Sequence, residues 1–161
     1  MTIATASQFR HLLSGFATGV TVATALDQAG RPQGMTASAV SAVSLDPPLL
    51  LVCVDRAADF HAVLSRADRF ALSVLASDQE DLSRRFAAEP AHDRFAGVAH
   101  RLGRDGLPLL TGAVAHIVCS KGAAYEAGDH TIFVGQVSAG ELFEGRPLIH
   151  YRSRYTTTGH Q

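Results

Sequence analysis

The chain has 161 residues, 47% of them apolar and 18% charged, with a net charge of −1. That length suits a single domain over 1–161 with a sizeable core, and the balanced charge leaves no footprint for nucleic acid or an anionic membrane surface. The longest apolar run, Leu49–Val54, is six residues and far short of a membrane span, and the N-terminus has no basic stretch leading into an apolar one, so the expectation is a soluble cytoplasmic protein.

Ser7 is placed to cap a first helix, on which Phe9, Leu12, Leu13 and Phe16 share one face and Gly15 sits near the C-terminal end. Arg10 and His11 fall toward solvent. Gly19–Ala25 alternates, is rich in β-branched residues and reads as the first strand; the turn cluster Asp27–Pro32 links it as a hairpin to the segment beginning at Gly34. Thr36–Ser44 alternates hydroxyl and small apolar side chains. Such a run packs poorly as a strand, but it leaves room for a flat ligand and lets backbone groups approach one. Close sheet or subunit packing is the competing use of the same small face. Asp46-Pro47-Pro48 breaks the chain, because proline fixes φ and cannot donate to a ladder. Leu49–Val54 then reads as a strand buried on both faces, ending in the charged pair Asp55-Arg56.

Asp59 is expected to cap a short helix with Phe60, Val63 and Leu64 on one face, and Arg69–Leu75 to form another strand. Ser77 and Glu80 stand three apart as a capping box before a helix that carries Leu82 and Phe86, with Arg84-Arg85 outward. Glu89–Gly106 is polar and irregular, a surface excursion with Phe95 tucked in. Gly112–Lys121 and Thr131–Ser138 read as strands separated by a Gly122–Asp129 loop. Pro147–Tyr151 is the last strand, followed by the basic aromatic tail Arg152–Tyr155. Six or seven strands joined mainly by hairpins, with three short helices, predict a mainly β protein: a small antiparallel barrel with peripheral helices.

Conventional catalytic and metal patterns are missing. No H-E-x-x-H or C-x-x-C gives zinc or dithiol chemistry a handle, and no G-x-G-x-x-G follows a strand, so a nicotinamide cofactor would bind outside a Rossmann unit. Cys53 and Cys119 lie in apolar strand contexts and read as buried thiols. His130 is the sharpest single candidate, at a loop-to-strand junction after Gly128 and Asp129. From the residues alone, two readings stand: a ligand-positioning imidazole, or one that bonds the local backbone at a strand start. Arg56 likewise reads as a cation for a phosphate or as a solvated strand end.

The segments Gly34-Met35-Thr36-Ala37-Ser38 and Ser41-Ala42-Val43-Ser44-Leu45-Asp46-Pro47-Pro48, with Phe16–Val22, Gly128-Asp129-His130-Thr131 and Pro147–Tyr151 in that order, resemble the short-chain flavin reductase family, the reductase components of two-component flavin monooxygenases. The resemblance implies an antiparallel six- to seven-stranded split β-barrel of the FMN-binding type. It also implies a homodimer with flavin near the subunit contact, FMN or FAD as flavin, NADH or NADPH as co-substrate, and a separate flavin-dependent monooxygenase as partner. Thr36, Ala37, Ser38 and Ala39 are then the flavin-facing strand, and Ser41 and Ser44 candidates for the ribityl chain or phosphate, or for satisfying a bulge or turn. Cys53, Val54, Asp55 and Arg56 match the second flavin-contacting segment. Phe86 matches a helix aromatic near the flavin, while by itself it reads as ordinary helix core; Tyr151, with the tail, is placed to cover the site, while from the residues alone the tail reads as an amphipathic edge. His130 is implied to position NAD(P)H. Two departures are Val40, where many members carry an aromatic residue, and Ala57-Ala58, where members carry hydroxyls for the flavin phosphate. A non-catalytic flavin carrier or sensor and a flavin-dependent oxidase are the alternatives on the same fold.

Overall fold

The structure, a computed structural model, describes residues 4–159. Helix α1 (Ala6–Leu13) starts at Thr5, whose hydroxyl accepts from the Gln8 N–H at 3.2 Å while Gln8 Oε1 accepts from the Thr5 N–H at 2.8 Å. This reciprocal capping box displaces the cap expected at Ser7, which lies inside the helix. The predicted apolar face buries none of its residues in the single chain: Phe9, Leu12 and Phe16 are 59%, 68% and 68% exposed.

β1 (Thr18–Gly19) and β2 (Thr21–Leu26) come next, and β2 is buried at five successive residues as a central strand. β3 (Pro32–Ala37) and β4 (Val40–Leu45) divide the small-residue run Thr36–Ser44, with Ser38 and Ala39 between them. β5 (Pro48–Asp55) buries Leu50, Val52 and Val54 while Leu49, Leu51 and Cys53 stay half-buried, so burial on both faces is corrected to one face. α2 (Asp59–Arg66) begins at Asp59 itself, behind Ala58, which offers no side-chain cap; Phe60 and Leu64 anchor it. β6 (Arg69–Val74) precedes α3 (Glu80–Ala88), where the predicted Ser77–Glu80 box does not form. Gln79 holds that corner instead, accepting from the Ala76 N–H at 3.0 Å and donating to the Thr111 carbonyl at 2.8 Å.

The expected irregular excursion contains a small hairpin, β7 (His100–Leu102) with β8 (Pro108–Leu110). β9 (Ala115–Ala127) and β10 (His130–Leu142) then form one long hairpin, so the predicted Gly122–Asp129 loop shrinks to Gly128-Asp129. Gly128, at φ 64, takes the first position of this two-residue turn, where a primed turn calls for glycine. β11 (Ile149–Tyr151) and β12 (Arg154–Thr156) close the described chain as a tail hairpin beside β1.

Seven strands form one antiparallel sheet in the order β3-β2-β6-β9-β10-β5-β4. Its two edges, β3 and β4, are joined by only two residues, so the sheet must curl until the edges meet. Ala37 of β3 and Val40 of β4 pack into the same core, and the Cys53 N–H, which donates to the Ala39 carbonyl at 3.0 Å, carries the β4–β5 ladder up to the connection. This is the antiparallel barrel expected from the strand pattern, in the split form that the resemblance implies. The main core gathers Ala23, Ala25, Leu50, Val52, Val54, Phe70, Leu72 and Phe133 from the strands, with Phe60 and Leu64 from α2. A second core of Val20, Val22, Leu75, Phe86, Leu110 and Leu148 lies under α3. Among the described residues no helix is long and apolar enough to cross a membrane.

Candidate functional site

The neighbouring strands β4, β5 and β10 bring three segments to one rim. The Ser38-Ala39 connection is the first; both residues are exposed and carry no bulk. Their carbonyls are engaged, Ser38 by the Val40 N–H and Ala39 by the Cys53 N–H, both at 3.0 Å. No acceptor among the described residues takes the Ser38 or Ala39 N–H. The end of β5 is the second segment. Asp55 pairs with His130 across the ladder, Val54 pairs with Thr131, and the Arg56 N–H donates to the Asp129 carbonyl at 3.0 Å. The turn of the β9–β10 hairpin is the third segment.

On this rim the His130 imidazole bonds Asp129, Nδ1 to Oδ1 at 2.7 Å, with both side chains open to solvent. A carboxylate only accepts, so Nδ1 carries the proton and Nε2 is left without a protein partner. The bond to His130 holds the Asp129 carboxyl below its ordinary value. Arg56 reaches Glu126 at 3.6 Å and keeps about half its side chain exposed. Asp55 has a structural duty: Oδ1 accepts from the Ala57 N–H at 2.8 Å and shapes the entry to α2. Val54 points into the core with no exposure, and Cys53 is half-buried with its thiol pushed up by desolvation.

The other predicted residues separate. Ala37 is buried, and its carbonyl accepts from the Thr21 hydroxyl at 2.6 Å. Thr36 donates its hydroxyl to the Ser83 carbonyl at 2.6 Å, which fastens α3 to β3 and commits its one proton. Phe86 is corrected from a cofactor contact to core: it has no exposed surface, packs edge-on against Phe95 with ring centres 5.0 Å apart, and closes over Gly34. Ser41 and Ser44 lie opposite Leu51 and Leu49. Ser44 is therefore six ladder positions from the Asp55–His130 pair, roughly 20 Å along β5. Both serines line an open apolar groove of about 540 Å³ with Leu142 and His116 at the opposite end of the barrel. Tyr151 is on the tail hairpin, with the Arg152 guanidinium 5.4 Å from its ring centre, and the Arg152 N–H donates to the Ser14 carbonyl at 2.8 Å. In the single chain the tail thus packs against the end of α1.

Three residues near the rim escape sequence reasoning. His61 on α2 bonds the buried Thr131 hydroxyl through Nε2 at 2.8 Å and tilts against Phe133. Ser83 is fully buried and shares a 2.8 Å bond with the Tyr155 hydroxyl. Arg94 is buried in the stretch read as irregular loop. A lone serine or arginine in a polar stretch carries no periodic signal; His61 alone could have been noticed, one position from the apolar face of α2.

The family model described as flavin reductase like domain matches residues 13–159. A probable flavin reductase of Rhizobium meliloti is 49% identical over 92% of this chain, and the match spans 47% of that protein. The reductase subunit of a flavin-dependent monooxygenase of Rhodococcus jostii is 39% identical over 92% of this chain and 76% of its own length. The solved NADH:FAD oxidoreductase of Streptomyces globisporus, in complex with NAD and FAD fragments, superposes with a TM-score of 0.90 at 37% identity, covering 99% of this chain and 98% of that one.

Proposed function

This chain belongs to the flavin reductase like domain family, and from that premise we propose that it is an NAD(P)H:flavin oxidoreductase that reduces FMN or FAD and supplies the reduced flavin to a separate monooxygenase. One observation carries the reading. Two unengaged N–H groups, at Ser38 and Ala39, stand on a turn without bulk, one hydrogen bond from Cys53 and on the same rim as Arg56 and His130. That donor set fits an isoalloxazine, whose polar edge offers carbonyl oxygens and ring nitrogens as acceptors and whose flat ring needs small neighbours.

Bound flavin supplies the acceptor for a hydride from the nicotinamide, a step that asks no acid of the protein. The residues therefore bind and orient. The Ser38 and Ala39 N–H groups hold the ring edge, buried Ala37 gives the turn a fixed base, and Arg56 offers its charge to a phosphate. His130, oriented through Asp129, presents Nε2 to the arriving NAD(P)H and sets its approach, where geometry carries most of the rate. Ala57 and Ala58 offer no hydroxyl at the start of α2, so the phosphate end is held lightly. Light retention suits a flavin that is released after reduction. NADH is the expected donor, as the names of the Streptomyces globisporus and Agrobacterium fabrum relatives indicate for those proteins.

The working unit is a homodimer. Phe9 and Leu12 on α1 with Phe16 just beyond it, and the exposed Val43, Leu45 and Leu142 on β4 and β10, are more apolar surface than a lone chain normally shows to water.

The test is NADH and NADPH consumption by purified protein with FMN, FAD, riboflavin or no flavin added. Turnover that requires added flavin supports the reductase. A yellow protein with fixed flavin content and no turnover would sink it in favour of a carrier.

A further inference from the structure

The Arg94 side chain is only 11% exposed, although its neighbours in sequence are polar and irregular. We propose that Arg94 is a positioning residue for flavin, a cross-tie that holds β3 and the corner between β5 and α2 at a fixed spacing. This rests on the flavin reductase reading above.

The guanidinium touches three elements. Nη1 donates to the Gly34 carbonyl at 2.9 Å, Nε donates to the Glu89 carbonyl at 2.8 Å, and Nη2 lies 3.7 Å from Asp59 Oδ2. Gly34 belongs to the sheet edge β3 and stands four residues before Ser38. Asp59 is the first residue of α2 and stands three residues after Arg56. One side chain therefore spans the two segments that carry the ring-edge donors and the phosphate cation. Among the described residues no backbone hydrogen bond joins β3 to α2. An edge carbonyl would otherwise be left to water, and β3 would be free to splay from the corner.

The residue type matters. A planar fork of five donors can serve acceptors in three directions, whereas a lysine ammonium at the end of a flexible stem cannot hold all three at once. Two of the acceptors are neutral carbonyls and the third is a carboxylate 69% exposed. The charge is thus only partly balanced, which is a poor arrangement for stability alone and a good one for fixing positions.

The experiment compares Arg94→Lys, Arg94→Met and Asp59→Asn with the wild type. Flavin dissociation constants come from fluorescence titration, kcat and KM from NADH oxidation, and midpoints from thermal unfolding. Hydrogen exchange of residues 34–37 is followed in flavin-free protein. Both Arg94 variants should raise the flavin Kd by about tenfold or more, the scale of a lost charge-assisted bond, while kcat at saturating flavin stays within about twofold. Exchange at 34–37 should quicken in the same variants before any flavin is added. Asp59→Asn, a change at an exposed carboxylate, should weaken flavin binding by a smaller factor and leave the unfolding midpoint unchanged. Lysine at 94 with wild-type affinity would overturn the proposal. So would variants with a lower midpoint but an unchanged flavin Kd measured well below it. If Arg94→Met does not fold, Arg94→Lys and Asp59→Asn decide between these outcomes. Wild-type protein that neither binds nor reduces flavin would instead remove the reductase reading, before any variant is made.

Discussion

Gly34→Ala probes how closely α3 is seated on the strand that leads into the site. A Cβ at Gly34 would lie 2.9 Å from Phe86 Cε1, and 3.1 Å from both Phe86 Cδ1 and the Ala23 carbonyl oxygen. Neither side can yield easily: Phe86 is fully buried against Phe95, and Ala23 is backbone of the paired strand β2. The methyl would return about 0.8 kcal/mol from burial and roughly 0.5–1 kcal/mol from the lost flexibility of glycine. Overpacking a rigid site costs about 1–3 kcal/mol, and with contacts this short on both sides it exceeds the upper value. The net expectation is a loss of about 1–2 kcal/mol, which at this chain length lowers the unfolding midpoint by roughly 3–6 °C. Moving α3 outward also lengthens the Thr36–Ser83 bond, so flavin affinity should fall with stability. Urea and thermal unfolding, with a flavin titration of the same samples, read both effects. Adding Phe86→Leu should give back part of the loss, a favourable coupling in a double-mutant cycle. A Gly34→Ala protein within about 0.3 kcal/mol of wild type, or strict additivity with Phe86→Leu, would refute the packing argument.

His130→Ala should raise KM for NADH by about tenfold and leave flavin Kd within about twofold, on the scale of one lost hydrogen bond; collapse of flavin binding instead would place His130 in the flavin site or in the fold. The tail turn holds Arg152 at φ 48 and Ser153 at φ 59, a primed geometry that costs L residues other than glycine or asparagine. Ser153→Gly should therefore stabilise by about 0.5–1 kcal/mol in urea unfolding, and a loss would show that the serine side chain has its own role. Burial pushes the Cys119 thiol up to about 12 from an ordinary 9.0. The folded state thus favours the neutral form, and its contribution is whole below pH 9 and declines as pH rises toward 12. Urea midpoints taken across that range should fall less steeply in Cys119→Ala, and equal slopes would show that other groups govern the alkaline loss.

Strands with β-branched bulk were legible in the sequence, because Thr21–Leu26, Pro48–Asp55 and Arg69–Val74 bury one face or both and say so in their composition. The end of the long hairpin was not. Residues 122–129 are exposed throughout, so no alternation separates strand from loop there, and pairing with β10 alone makes it a strand. The helix starts failed for a related reason: Thr5 and Ser7 are equally good caps by type, and only the Gln8 side chain chooses between them. Ser38, Ala39, Arg56 and His130 lie on one rim, where the β4–β5 and β5–β10 pairings put them. Ser41 follows two residues after Ala39, and Ser44 lies farther along the β4–β5 ladder, opposite Leu49. Arg94 was invisible because its role depends on which carbonyls the fold brings beside it.

The two edges of the sheet are neighbours in the chain yet have five strands between them in the sheet. Ser38 and Ala39 meet Cys53 across the β4–β5 hairpin, and that hairpin meets His130 only through the long-range β5–β10 ladder. A chain in which β10 has not yet docked on β5 owns the same sequence motifs but an incomplete rim. Flavin then finds its full donor set only after that long-range pairing, and its binding energy is added to the folded sheet instead of to one loop. At a hundred times its Kd, flavin should raise the unfolding free energy by about 2.7 kcal/mol, felt equally by strands far from the rim. In a cell, the supply of flavin would govern how much of this chain persists as well as how fast it turns over.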